Sequence, residues 1–423
     1  MSTLPSQPNC TDFFDPRTIS VTTALNRILD RLRPVKGCET VSLDIALNRV
    51  LAEPLVSSFD VPLHTNAAVD GFAIRSRDLP PSGQTAVFQV IGEALAGHPF
   101  SDDIAPDQSV AIMTGAPLPD ETDTILMQEH VKALEGNRIL VGDRHHAGEN
   151  VRRAGEDIRQ GETVLKPGRL LTPADLGLIA SLGIIEIKVK RKLKIAVLST
   201  GDEILPQGVP RKPGKLYDSN RFSLMAVLRK LPVEILDYGI VPDDPSLLRQ
   251  AFEDAIDRSD VIISSGGVSV GEADYTQKVL AELGTIDFWK VAIKPGRPLA
   301  FGQPGNSAFF GLPGNPVAVM VTYYRFVLPA LYHMAGTDSP PLIPAFPART
   351  VEALRKKPGR TEFQRGILSV DAEGRWQVET TGQQGSGILS SMSLANCFIV
   401  LEHERARVEA GETVTVWPFS ALM

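Results

Sequence analysis

The sequence is short of sulfur and of basic charge, and it has no long uninterrupted apolar run. Its 423 residues hold three cysteines, Cys10, Cys38 and Cys397, none in a CxxC pair. Their spacing makes no disulfide framework, which points to a reducing compartment. Lysine and arginine number 43 against 50 acidic residues, a formal charge of -7. Binding nucleic acid without regard to sequence needs basic surface, so that balance argues against it. The most apolar long run, residues 317–331, is interrupted by Arg325 and Pro329 and falls short of the ~20 residues a spanning helix needs. The start, MSTLPSQPNCTDFFDPRT, lacks the basic-then-apolar order of a signal peptide. A cytoplasmic protein is expected, with no nucleic-acid partner and no membrane insertion.

What is present is ordinary globular material, 43% apolar and 22% charged, in a chain long enough for about three domains. Residues 1–17 read as polar and frayed. Residues 20–32 carry apolar side chains at helical spacing, and a second short helix is expected over 42–50. Residues 59–150 are richer in Pro and Gly, with short β-prone runs at 86–90, 109–113 and 139–141, and read as a compact β-rich domain. Within them, Asp70 precedes a glycine in NAAVDGFA, and Thr114 ends a strand in MTGAP. Each alone is a common turn. His145-His146 has no partner ligands at suitable spacing, so a loop pair is expected rather than a metal site. Residues 151–190 return to the style of the N-terminus, with a helix from Pro173 capped by Thr172. The division expected is therefore 18–58 with 151–190 as one discontinuous domain, 59–150 inserted into it, 191–338 as an α/β domain and 339–423 as a small β-barrel or sandwich. In 191–338, strands at 194–199, 233–240 and 261–264 alternate with helices at 220–231 and 245–259. Such alternation makes a parallel sheet covered on both faces, with ligands bound beyond the carboxyl ends of its strands. Glu203, Asp243 and Asp274 all follow strand ends.

The stretch 260–316 carries the densest signal. Ser264, Ser265, Gly266 and Gly267 follow a short apolar run, and a backbone without Cβ atoms lets a ligand come close. Asp274 comes next, then Lys290, Lys294 and Arg297 around the break Lys294-Pro295-Gly296. Pro313, Gly314, Asn315 and Pro316 lead into the apolar helix, with Asn-Pro suited to a cap and first turn. Neither GxGxxG nor GxxxxGK[ST] spacing occurs there, so neither an ordinary dinucleotide fold nor a P-loop is indicated. Serines, amides and cations beside a carboxylate point to an anion site, with phosphate as the expected group.

The ordered set NAAVDGFA, MTGAP, RAGEDI, STGDEI, SSGGVSVGEADY, KVAIKPGRPLAFG, GLPGNP and GRTEFQRG resembles the molybdopterin molybdenumtransferases, the family that includes the C-terminal region of gephyrin. The resemblance runs from about residue 20 to residue 417. It implies a doubly wound molybdopterin-binding α/β domain, an inserted β-rich domain, an elongated mixed domain and a C-terminal β-barrel, assembled as a homodimer. It implies insertion of molybdate into adenylated molybdopterin, with release of AMP. A molybdopterin adenylyltransferase would act upstream, and molybdoenzymes or their chaperones would receive the product. Carried over residue by residue, Asp70 and Thr114 belong to the inserted domain's part of the site, and Asp157 to an acidic turn after it. Glu203, Asp243 and Asp274 line the α/β pocket, and Lys290 and Lys294 meet the phosphate and molybdate. Pro313 and Pro316 shape the last turn, while Arg365 and Ser386 come from the barrel. Phe72 stands where the family more often has Tyr.

The chemistry fits that mixture. Molybdate is a dianion and the substrate a pyrophosphate, and like unit charges 4 Å apart cost about 4 kcal/mol at an effective dielectric near 20. Carboxylates around such ligands call for a divalent cation, and oxygen ligands with phosphate point to Mg²⁺ held by Glu203, Asp243 and Asp274. The lysines and Arg297 can then hold the oxyanion. Three other readings compete: a non-enzymatic scaffold, the preceding adenylyl transfer, and a nucleotide hydrolase sharing the α/β domain. The acidic and basic site speaks against the first, the inserted domain and barrel against the second, and the N-terminal motifs against the third.

Overall fold

The computed structural model describes residues 18–266 and 275–421. Gly267 and Asp274 lie outside the described residues, as does the frayed start expected at 1–17. By contacts the chain divides into two compact units. One holds the chain up to Ala52, Gly168–Pro173 and everything from Glu186; the other holds Glu53–Pro167 and Ala174–Ile185.

The first unit is built on a seven-stranded sheet. Its strands are β1 (Thr18–Ile19), β2 (Leu193–Thr200), β3 (Val233–Val241), β4 (Val261–Ser265), β5 (Gly284–Val291), β6 (Pro298–Pro304) and β7 (Ala308–Leu312), in spatial order β1-β5-β6-β7-β4-β2-β3. β7, β4, β2 and β3 are mutually parallel. β4 and β7 are buried at every position, as the uninterrupted apolar runs require of strands covered on both faces. Alternate residues serve two cores. Ile195, Val197 and Ile263 face one with the helix Asn220–Leu228, while Ala196, Leu198 and Ile262 face the other with Phe252 of the helix Pro245–Arg258. Asp244 caps that second helix, its carboxylate accepting from the amides of Ser246 and Leu247 at 2.9 and 3.0 Å. The chain leaves β2 toward β3 on one side and leaves β4 toward β5 on the other. The crevice between the ends of β2 and β4 is thus where the winding reverses, the place where open α/β sheets bind ligands.

The N-terminal helix Val21–Arg31 is capped by Ser20, whose hydroxyl accepts from Thr23 N at 3.0 Å. Its Val21, Ala24 and Ile28 pack into the α/β core, so this part of 18–58 goes with the sheet. The segments 18–58 and 151–190 also pair with each other, Cys38–Ser42 along Glu186–Lys190 and Leu55–Val56 along Thr163–Leu165. The helix expected over 42–50 does not form. A single 3₁₀ turn, Leu43–Ile45, is followed by Asn48 at φ 61°. The amides of Asn48 and Leu51 donate instead to Leu171 and Arg169, so the backbone is satisfied across the chain rather than along a helix. The apolar run after Pro316 is helical through to Ala335, with a π turn at Tyr323–Val327. Pro329 lacks an N–H and would clash with the carbonyl four residues back, and a widened turn accommodates it. Among the described residues no helix is long and apolar enough to cross a membrane.

The C-terminal strands Phe346–Thr350, Thr361–Val370, Trp376–Thr380, Cys397–Leu401 and Thr413–Pro418 close into a barrel, because Thr361–Val370 pairs with both Trp376–Thr380 and Cys397–Leu401. A two-residue strand, Ile293–Lys294, adds to it in parallel and sets Lys294 opposite Glu362.

In the second unit a six-stranded sheet runs in the order Thr124–Met127, Gly71–Ile74, Gln108–Ile112, Ala86–Ala94, Arg138–Val141, Lys132–Leu134. The β-prone runs expected at 86–90, 109–113 and 139–141 lie in three of these strands.

Candidate functional site

At the carboxyl ends of β2, β4 and β7 the first unit opens into two adjoining hollows. One, of about 500 Å³, is lined by Thr200, Glu203, Tyr217, Asn220, Gly266, Pro316 and neighbours. The other, of about 640 Å³, is lined by Glu203, Gly266, Lys294, Pro313, Arg360, Ser386 and neighbours. They share Glu203, Gly266, Gly314 and Asn315, so they are lobes of one cleft. Sheet ends supply its floor and the barrel loop at 384–386 supplies a wall.

The floor is tied together by Asn220. Its amide donates to Ser265 Oγ at 2.8 Å and to the Gly314 carbonyl at 2.7 Å, fixing the end of β4 against the loop after β7. Beside it, Asp218 is buried and accepts from Ser199 Oγ at 3.1 Å and from Arg221 Nε at 2.9 Å. The hydroxyl of Thr200, on the floor, is buried without a hydrogen-bond partner among the described residues, as is that of Ser264, which was expected at the site but lines neither lobe. A buried polar atom left so costs free energy that a ligand oxygen would recover.

Glu203 lines both lobes, while Asp243, also expected at the site, lines neither. Asp202 N donates to Asp243 at 3.2 Å, and Asp243 N returns the bond to Asp202 at 3.1 Å. Glu203 lies over Gly201. Burial, together with the charges of Asp202 and Glu203, pushes the Asp243 carboxyl above the ordinary carboxylate range, against the pull of the Asp202 amide. The lobe that adjoins the barrel also holds cations. Lys294 and Arg360 line the cleft, and Lys294 Nζ lies 3.2 Å from both carboxylate oxygens of Glu362. Lys290 and Arg297, also expected at the site, are half-buried on the flanks of the same turn and do not line either lobe.

Arg365 occupies an unexpected place. It is 1% exposed and spends its guanidinium inward, on Ser391 Oγ at 3.0 Å and on the carbonyls of Gln383 and Gly385 at 3.3 and 3.0 Å. Burial brings its pKa down to about 10. It therefore braces the loop that carries Ser386 to the cleft. Asn220, Asp218 and Glu362 are not among the residues that the sequence singles out for the site.

In the second unit, the strands starting at Gly71 and ending at Ile112 are antiparallel partners, which brings Asp70 to Thr114. Asp70 Oδ1 accepts from Thr114 N and from Thr114 Oγ1, both at 2.7 Å. These two donors, the backbone first, hold the exposed carboxyl below its usual value. Thr114→Ala removes only the hydroxyl, so the Asp70 carboxyl should rise part of the way to the unperturbed value in a ¹³C NMR titration. A full return would mean that the backbone donor had been lost too. Asp157 is exposed, and its amide donates to the Val61 carbonyl at 3.0 Å. His145 forms a local pair, Nδ1 lying 3.1 Å from Glu149 Oε2, and the described residues contain no group of three or more His, Cys, Asp or Glu side chains able to hold a metal.

Comparison with known proteins gives this geometry its context. The sequence matches the MoeA N-terminal region (domains I and II) over residues 19–183, a probable molybdopterin binding domain over 196–333 and the MoeA C-terminal region (domain IV) over 347–419. A molybdopterin molybdenumtransferase of Nostoc is 32% identical, covering 92% of this chain and 90% of that protein. The crystal structure of a molybdopterin biosynthesis moeA protein from Pyrococcus horikoshii superposes with a TM-score of 0.81 at 29% identity, covering 95% of this chain and 100% of that one. A molybdopterin molybdenumtransferase of Haemophilus influenzae is 43% identical over 95% of this chain and 98% of its own length. With sequence likeness over nearly its whole length and a matching multidomain architecture, the chain belongs to the molybdopterin molybdenumtransferase family, enzymes of molybdenum cofactor biosynthesis.

Proposed function

We propose that the chain inserts molybdate into adenylated molybdopterin, forming molybdenum cofactor and releasing AMP. The observation that carries this reading is one cleft, at the sheet's winding reversal, in which the cations of Lys294 and Arg360 share a lining with the carboxylate of Glu203. Lys294 and Arg360 would orient the oxyanion, and the hydroxyl of Thr200 would donate to an oxygen of the pterin phosphate or its anhydride. The chain offers these groups as binders and orienters, and no serine or cysteine nucleophile is needed.

A divalent cation fits the carboxylates. Asp202, Glu203 and Asp243 make no ion pair among the described residues, and burial first, then the charges of Asp202 and Glu203, raises the Asp243 carboxyl. Mg²⁺ held by Glu203 and Asp243, with Asp274 as the further expected ligand, would supply positive charge to phosphate oxygens. The chain's own part is to present those carboxylates beyond the strand ends. The reading brings with it a homodimer, an upstream adenylyltransferase and downstream molybdoenzyme or chaperone recipients, all carried from the family.

The test is AMP release from adenylated molybdopterin against molybdate concentration, with Mg²⁺ present and with it chelated. Lys294→Gln should raise the molybdate concentration for half-maximal rate about tenfold or more, in line with loss of a charge-assisted contact. An unchanged molybdate dependence would remove Lys294 from the oxyanion site. AMP release indifferent to both molybdate and Mg²⁺ would remove the reaction itself.

A further inference from the structure

Glu362 is 3% exposed and sits on the barrel strand Thr361–Val370. Its carboxylate faces Lys294 Nζ at 3.2 Å through each oxygen and takes a further donor, Gln364 Nε2, at 3.2 Å. Lys356 also feels its charge, but that ammonium is spent on the carbonyls of Lys357, His403 and Arg405. The Lys294 side chain is 45% exposed and lines the cleft. The same ammonium therefore serves a buried carboxylate behind it and the open cleft in front of it.

We propose that Glu362 is an affinity-setting residue for the cleft's anion: a fixed buried counter-charge that Lys294 shares with the ligand. The inference rests on the reading that Lys294 binds the oxyanion. Glu362 touches no ligand in that reading; it acts through Lys294 and through its own field. Two effects of the bridge oppose each other. Holding the lysine in place spares a ligand the cost of immobilising a flexible side chain. The negative charge behind the lysine repels the same ligand, weakly screened because the carboxylate is out of water. For a dianion the repulsion is doubled while the entropy saving is not, so repulsion dominates. A transfer site gains from this arrangement, because an anion held equally tightly before and during reaction adds nothing to turnover. With Glu362 charged, molybdate is bound loosely enough to be passed on.

The experiment measures binding of molybdate alone, and separately nitrate, to the full chain by isothermal titration calorimetry. Four proteins are compared: wild type, Glu362→Gln, Glu362→Asp and Lys294→Gln. Glu362→Gln is isosteric and neutral, and its oxygen can still accept from Gln364. It should bind molybdate about tenfold tighter and nitrate about threefold tighter, because the logarithm of the gain scales with ligand charge. Its steady-state half-saturation for molybdate and its turnover should both fall. Glu362→Asp keeps the charge and should stay within about twofold of wild type, which also guards against misreading a folding defect. Weaker molybdate binding in Glu362→Gln would mean that positioning outweighs charge and would overturn the inference, as would equal gains for the two anions. Molybdate binding unaltered by Lys294→Gln would instead overturn the underlying assignment of Lys294, and this inference with it.

Discussion

Asp243→Asn should cost most of the AMP-releasing activity, about a hundredfold, while leaving thermal stability unchanged or slightly raised. Both halves follow from the carboxyl's surroundings. Burial and the neighbouring charges of Asp202 and Glu203 raise its pKa, and among the described residues one backbone donor opposes them. An acid whose folded value lies above its unfolded one binds more protons in the native state over the interval between. Stability therefore falls as pH rises through that interval and stays at the lower level above it. Asparagine keeps an oxygen for the Asp202 amide at the position where Asp243 Oδ2 accepts at 3.2 Å and carries no charge to repel its neighbours. The variant should melt at or above the wild-type temperature at neutral pH, with the gap closing toward pH 3.8. The activity loss should be steepest at low Mg²⁺, because one ligand of the proposed cation is gone. Differential scanning calorimetry across pH, beside AMP release at several Mg²⁺ concentrations, reads both halves. A large drop in melting temperature would make Asp243 a structural residue, and full activity would take it out of the site.

The sequence announces this carboxylate only by its place after a strand end. Much of the rest is legible in the same way. Alternating apolar runs of strand and helix length dictate the α/β sheet, because strands buried on both faces leave little latitude in composition. The Asn315-Pro316 start of the apolar helix and the turn presenting Lys294 are equally local. What the sequence hides is set by contacts from far along the chain. Glu362 reads as one polar residue in an alternating strand, and only the pairing of Ile293–Lys294 with the barrel turns it toward Lys294. Asn220 reads as a helix start, yet its amide spans a strand end and a loop some forty-five and ninety-four residues away. Arg365 shows the opposite failure. An arginine in a glycine-flanked motif reads as a ligand-binding cation, whereas its donors are turned inward onto carbonyls. The helix expected over 42–50 fails for a related reason, since helical spacing cannot foresee that residues 169–171 offer carbonyl partners to Asn48 and Leu51.

Gly266→Ala should be the most damaging single-methyl change on the cleft floor. Gly266 follows β4 at φ 93°, a region that a residue with a Cβ enters at a cost of about 1–3 kcal/mol. An added Cβ would also lie 2.4 Å from the Thr200 carbonyl oxygen and 3.2 Å from its hydroxyl. The first of these atoms is backbone at the end of β2 and cannot swing aside. The chain could relieve the clash only by drawing the β2 and β4 ends apart, which would strain the bonds from Asn220 to Ser265 and Gly314. Strain and clash together should remove roughly 2–4 kcal/mol of stability. Any molecules that remain folded should bind molybdate weakly, because Gly266 lines both lobes. Gly314 supplies the control. It lines the same two lobes, but among the described residues an added Cβ there meets nothing within 4 Å. Gly314→Ala should therefore melt within a few tenths of a kcal/mol of wild type. Urea unfolding and molybdate titration of the two variants side by side make the comparison. Equal stability would show that the close approach of β2 and β4 at Thr200 is not what demands a glycine at 266. Loss of molybdate binding in both would place the ligand against the open face of Gly314 as well.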